Sequence, residues 1–105
     1  MRTETLTRDD AVKRILASED EIMALGVHRL ALFGSVLRGE ANSRSDVDLL
    51  VQFSPGAKTF TNFLALSEFL EECLGSPVEL VTSESLSPYV GPHILAEAQD
   101  VLRAS

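Results

Sequence analysis

Apolar positions recur along parts of the chain with the spacing of amphipathic helices. One such pattern predicts a helix over residues 8–25 that ends at Gly26. A second pattern predicts a helix at about 59–74 that ends at Gly75. A last helix is expected to begin near Pro92. Its apolar positions would be Ile94, Leu95, Ala98, Val101 and Leu102.

Shorter apolar runs predict three strands, at 28–33, 47–53 and 78–82. The first two are joined by too little chain for an ordinary crossover, so we expect them to be antiparallel. The second and third are separated by a full helix, which allows a right-handed parallel crossover. We therefore expect an α/β (α+β) fold, a small mixed sheet flanked by helices, within one domain spanning 1–105.

The predicted strand directions bring the polar residues near the strand ends to one edge of the sheet. Asp46 and Asp48 are two residues apart, so both carboxylates point the same way. Their mutual repulsion would be relieved by an oxygen-seeking cation such as Mg²⁺. Glu79 adds a third carboxylate within an otherwise apolar strand. The pattern indicates a site for one or two Mg²⁺ ions.

Next to these carboxylates the sequence predicts a phosphate-binding turn. Gly34 and Ser35 lie where the first strand gives way to a turn or helix, and their backbone N–H groups and a hydroxyl could bind phosphate oxygens. Arg38, one helical turn further on, could add a positive charge. Structural alternatives remain for each residue: capping for the aspartates, a plain turn for the Gly-Ser pair, and surface positions for Glu79 and Arg38.

Composition narrows the classes of partner. The 105 residues carry 9 Lys and Arg against 16 Asp and Glu, a net charge of -7, which disfavours long nucleic acid as a direct partner. No apolar run is long enough to cross a membrane. A single cysteine and a polar beginning are typical of a cytoplasmic protein, which is the location we expect.

The central motif resembles a known family. Gly34-Ser35 is followed after ten residues by Asp46-Val47-Asp48, with Arg38-Gly39 between them. This arrangement is similar to the signature of the polymerase-β-like nucleotidyltransferases, and most of all to their minimal nucleotidyltransferase branch. The resemblance implies the polymerase-β-like fold over nearly the whole chain. It departs from many members at Glu79, where they carry aspartate.

The resemblance also implies an activity, the transfer of a nucleoside monophosphate from an NTP to an acceptor hydroxyl with release of pyrophosphate. For this chain we expect ATP to be the substrate, although the sequence does not determine the preferred base. Asp46 and Asp48 would bind Mg²⁺ and act in catalysis. Gly34 and Ser35 would hold the β and γ phosphates. Glu79 would bind the second metal ion and help to deprotonate the acceptor.

Small stand-alone members of this family are similar to antitoxins that pair with a HEPN-type toxin ribonuclease, and some transfer AMP to a tyrosine of that toxin. We therefore expect a hetero-oligomer with such a toxin. Two alternatives stay open. The chain could be a non-catalytic antitoxin that neutralises its toxin by binding alone, or a small-molecule nucleotidyltransferase completed by a partner subunit.

Overall fold

The residues described by this computed structural model, 6–42 and 45–104, form a four-stranded mixed sheet with helices packed on it. The strands are β1 (Val27–Phe33), β2 (Val47–Phe53), β3 (Val78–Thr82) and β4 (Gln99–Arg103). The helices are α1 (Arg8–Ala17), α2 (Glu19–Met23), α3 (Gly34–Arg38), α4 (Phe60–Leu74) and α5 (Gly91–Glu97), with a short 3₁₀ turn at Ser83–Ser85. The predicted fold class is confirmed. Within the described ranges, no helix is long and apolar enough to span a bilayer.

The pairing of the strands confirms the predicted directions. The order across the sheet is β3-β2-β1-β4, with β1 antiparallel to both β2 and β4, and β2 parallel to β3. Phe33, the last residue of β1, pairs with Asp48 of β2. Asp48 pairs on its other side with Glu79 of β3. The register therefore brings the end of β1 and these two acidic residues to the same edge of the sheet.

The helix predicted over 8–25 is interrupted at Ser18. Thr7 caps α1, because its hydroxyl accepts a hydrogen bond from the Asp10 N–H at 3.1 Å. Ser18 leaves the helical conformation with φ -114° and ψ 24°. Serine favours helix ends, and α2 then begins with three acidic residues that suit the positive end of a helix dipole. The apolar spacing therefore correctly predicted helical structure, but the segment forms two short helices instead of one.

The prediction that the last helix continues through Leu102 is wrong. Helix α5 has Pro92 in its first turn as expected, but it ends at Glu97. The chain then forms β4, in which Leu102 pairs with Leu30 of β1 and is 2% exposed. The apolar spacing is compatible with a helix. Pairing with the free edge of β1 provides hydrogen-bond partners for the backbone N–H and C=O groups, and this tertiary interaction overrides the local preference.

The core determines which way the acidic residues project. Leu49 and Val51 of β2 are fully buried, as is Leu30 of β1, which pairs with Val51. Side chains alternate along a strand, so Asp48 projects from the face opposite to Leu49. Further fully buried side chains come from α1, α2 and α4, namely Ile15, Ile22, Leu66, Leu70 and Leu74. This apolar packing fixes the position of β2, and with it the backbone of Asp48.

Candidate active site

Gly34 holds the junction of β1 and α3 directly against Asp48. It is buried, with a φ of +79°. A Cβ added to Gly34 would lie 2.0 Å from Oδ2 of Asp48, far closer than atoms in contact can approach. Both the backbone conformation and the neighbouring carboxylate therefore require glycine here. The predicted phosphate-binding turn and a predicted metal ligand are in contact.

Asp48 is placed where its negative charge is unfavourable. Burial, together with the nearby charges of Glu79 and Asp46, raises the pKa of Asp48 to about 6. Arg38 offsets part of this effect. A carboxylate with a pKa this high gains when a cation binds beside it, because the cation stabilises the charged form.

The acidic residues do not form a complete metal cage. Glu79 is exposed on the edge strand β3, and Asp46 is exposed just before β2 begins. In the described part of the chain, no three His, Cys, Asp or Glu groups are close enough together to hold a metal ion. Mg²⁺ is commonly held by one or two carboxylates together with substrate phosphate oxygens. These oxygen donors around a cation-favouring Asp48 fit such a shared site.

Ser35 and Arg38 both lie on α3, close to Gly34. Ser35 is half-buried, and its backbone carbonyl accepts a hydrogen bond from the Glu40 N–H at 2.9 Å. The Arg38 Nε donates to Oε1 of Glu40, also at 2.9 Å. Arg38 is also close enough to Asp48 to lower the pKa of that carboxyl, which places it at the predicted site, although its side chain is 46% exposed. The roles of these two residues in phosphate binding stay predictions.

Glu97 is a residue of this site that the sequence did not indicate. Its Oε2 accepts a hydrogen bond from the Gly34 N–H at 2.9 Å, and its Oε1 accepts one from Nη1 of Arg38 at 2.6 Å. The hydrogen bond from the Gly34 N–H has the larger effect and that from Arg38 the smaller, and both lower the pKa of Glu97. Hydrogen bonds to Glu40 and then Glu97 raise the pKa of Arg38 above its ordinary value. A carboxylate thus binds the two groups that were expected to bind phosphate.

The position of Glu97 depends on the strand that was not predicted. Strand β4 begins at Gln99, which pairs with Leu32 near the end of β1. The residue two positions earlier is thereby brought next to Gly34. No local signal placed Glu97, because β4 forms by pairing with the distant β1, and the spacing of Val101 and Leu102 is also compatible with a helix.

Comparison with known proteins identifies the family. A nucleotidyltransferase domain matches residues 10–101. The chain is similar to a Methanocaldococcus jannaschii protein assigned by inference as a protein adenylyltransferase, at 43% identity over 77 residues, covering 73% of this chain and 82% of that protein. It is also similar to the protein adenylyltransferase MntA of Thermococcus cleftensis, at 37% identity over 93 residues, covering 88% of this chain and 93% of the relative.

A solved structure with the same fold extends these similarities. It is a toxin-antitoxin crystal structure with AMP-PNP, which superposes with a TM-score of 0.70 at 20% identity, covering 90% of this chain and 74% of that one. At that identity the likeness concerns the fold. The match over residues 10–101 includes Gly34, Asp48 and Glu97, whose contacts build the site. The chain therefore belongs to the nucleotidyltransferase domain family.

Proposed function

We propose that this protein is an Mg²⁺-dependent protein adenylyltransferase that transfers AMP from ATP to a tyrosine of a HEPN-type toxin ribonuclease and thereby acts as its antitoxin. The observation that carries the proposal is the contact between Gly34 and Asp48, because it sets the backbone proposed to bind phosphate beside a carboxylate whose charged form a cation would stabilise. The similarity to two protein adenylyltransferases supports the same chemistry.

In this proposal each residue has a distinct task. Asp46 and Asp48 would hold Mg²⁺, and the cation would neutralise part of the negative charge of the triphosphate. The backbone at Gly34 and Ser35 donates hydrogen bonds to the β and γ phosphates. Arg38 stabilises the charge that develops on the leaving pyrophosphate. The residues mainly position and neutralise the reactants.

The transfer step forms one bond and breaks one. The tyrosine oxygen attacks the α phosphorus of ATP, and the bond from that phosphorus to the β-phosphate oxygen breaks. Glu79, exposed next to Asp48, accepts the proton of the tyrosine hydroxyl. The exposure of Glu79 leaves this side of the site open to a side chain from another protein.

The toxin is proposed as acceptor also on grounds of charge. A ribonuclease must attract RNA phosphates and is expected to have a basic surface, whereas this chain has a net charge of -7. A phosphate added near the active site of the toxin would repel RNA. The chain would therefore neutralise the toxin by binding it and by modifying it.

Coexpression with a HEPN-type toxin ribonuclease from the same organism tests the proposal, with the intact mass of the toxin as readout. We expect mass additions in units of AMP that are lost with Glu79→Ala. Glu84→Ala is the matched control, because Glu84 is an exposed acid paired with Lys58 beyond the opposite end of β3. An inhibited but unmodified toxin would contradict transfer and favour the binding antitoxin. AMP found only on a small molecule would favour the third alternative.

A further inference from the structure

The carboxylate of Glu97 spans two groups on α3. One oxygen accepts the Gly34 N–H at 2.9 Å, and the other accepts Nη1 of Arg38 at 2.6 Å. Both donors belong to the proposed triphosphate site. A carboxylate oxygen and a phosphate oxygen are similar ligands for such donors, because both are negatively charged acceptors. A backbone N–H has a single hydrogen, so Gly34 cannot bind Glu97 and phosphate fully at the same time.

The attachment of Glu97 is one that a ligand can displace. Glu97 is the last residue of α5, and its side chain is 28% exposed. Of the α5 residues only Gly91 is buried, the remainder being half-buried or exposed. The ion pair with Arg38 is also open to solvent, where such pairs contribute little. A rotation of the Glu97 side chain can therefore free both donors without disturbing the core.

We propose that Glu97 occupies the phosphate site in the nucleotide-free protein and that the triphosphate must displace it. Glu97 then lowers the affinity for ATP and selects against ligands that carry too few phosphates to compete. This inference rests on the proposed function, because it takes Gly34 and Arg38 as ligands of the triphosphate. Adenosine makes no demand on these donors, so its binding is independent of Glu97.

Calorimetric titration of three proteins tests the competition. Wild type, Glu97→Gln and the control Glu84→Gln are titrated with Mg²⁺ and AMP-PNP, with tripolyphosphate, and with adenosine at one salt concentration. The control removes the same charge from Glu84, an exposed acid in the turn that follows β3, away from the proposed phosphate site. We expect Glu97→Gln to bind AMP-PNP and tripolyphosphate about five- to tenfold more tightly than the control, because the hydrogen bonds from Gly34 and Arg38 then end on a neutral amide, which a phosphate displaces more easily than a carboxylate. Adenosine binding should be equal in all three proteins.

A purely structural role for Glu97 leads to the opposite result. If Glu97 served to orient Arg38 for phosphate, its loss would weaken the binding of tripolyphosphate. Equal or weaker binding by Glu97→Gln relative to Glu84→Gln therefore overturns the proposal. In AMP transfer, competition predicts a lower KM for ATP with little change in kcat, whereas a lower kcat with an unchanged KM would contradict it.

A measurement on the wild-type protein keeps the test independent of how the variants fold. The carboxyl carbon resonance of Glu97 should shift when tripolyphosphate saturates the protein, and no shift at saturation would overturn the proposal. The two proposals fail in different ways. Wild type that binds AMP-PNP and transfers AMP, while Glu97→Gln matches the control, refutes the competition alone. Absence of AMP-PNP binding in all three proteins refutes the proposed function and, with it, this inference.

Discussion

The two parts of strand β2 meet opposite demands. From Leu49 to Val51 the side chains are at most 2% exposed and pack in the core. At the start of the same strand, burial and neighbouring charges raise the pKa of Asp48 to about 6, so its charged form is held at a cost. Adjacent residues on one strand thus contribute to the free energy of folding with opposite sign.

The contrast explains how an unfavourable group keeps a defined position. The apolar part of β2 is fixed between β1 and β3, and the backbone of Asp48 is fixed with it. A site built on a packed strand retains its geometry even when its own groups repel. We therefore expect substitutions in the two parts of β2 to separate stability from activity.

The largest effect is expected for Asp46→Asn combined with Asp48→Asn. Without these carboxylates the site loses its cation ligands, and transfer of labelled AMP should fall about 10³-fold while the fold is retained. The double variant should melt no lower than wild type, because carboxylate repulsion is removed. The control replaces the exposed residues Asp9 and Asp20 with asparagine. Labelling within tenfold of wild type would show that the assignment of Asp46 and Asp48 is wrong.

In the apolar part of β2, Leu49→Ala should affect stability rather than chemistry directly. Leu49 is fully buried, so the truncation removes apolar contacts and leaves a cavity. We expect a loss of about 3 kcal/mol in the free energy of unfolding, measured by urea denaturation. A loss below about 1 kcal/mol would mean that the core readily closes over the cavity, contrary to the close packing expected around a fully buried side chain.

Gly34 contacts Asp48 and so lies where the two parts of β2 meet. Gly34→Ala should lower the free energy of unfolding by about 2 kcal/mol, a smaller loss than for Leu49→Ala. Gly56→Ala is the matched control, because Gly56 has a similar φ of +83° but open space around an added Cβ. The control measures backbone strain alone, and the excess at Gly34 measures the contact with Asp48. Urea denaturation of both variants gives this difference. Equal losses would contradict a tight contact between Gly34 and Asp48.

The smallest effect is a gain of about 1 kcal/mol for Asp48→Asn in metal-free buffer at neutral pH, reduced from the full pKa shift because the group is partly solvated. Its raised pKa means that the folded state prefers the protonated form. The stability from that form is complete below the unfolded pKa near 4 and is lost as pH rises through about 6.

Asparagine mimics the protonated acid, so the advantage of the variant should grow between pH 4 and pH 7. Urea unfolding across this range measures the difference. A constant difference would contradict the pKa assignment, and Mg²⁺ should raise the Tm of wild type only.

The sequence correctly predicted those elements in which the local hydrophobic pattern agrees with the packing in the folded protein. Strands β2 and β3 have the predicted bounds, and connection lengths correctly predicted their directions. The same reasoning placed Gly34 near Asp48, and the structure confirms that contact. The metal and phosphate roles of these residues remain predictions.

Two features could not be derived locally. Strand β4 exists because distant residues of β1 offer a free edge, and the spacing of Val101 and Leu102 alone does not reveal this pairing. Glu97 was missed for the same reason, since its contact with Gly34 joins residues 63 positions apart. In contrast, the interruption at Ser18 has a local signal, a serine followed by acidic residues.

The edge strands have a further consequence, for association between copies of the chain. An uncovered strand edge can pair with another molecule and start aggregation. Both edges of this sheet, β3 and β4, are only five residues long. Each carries exposed charge, Glu79 on β3 and Arg103 on β4. In-register parallel pairing of two β3 edges would set Glu79 against Glu79, so the residue proposed to accept the tyrosine proton also disfavours that pairing.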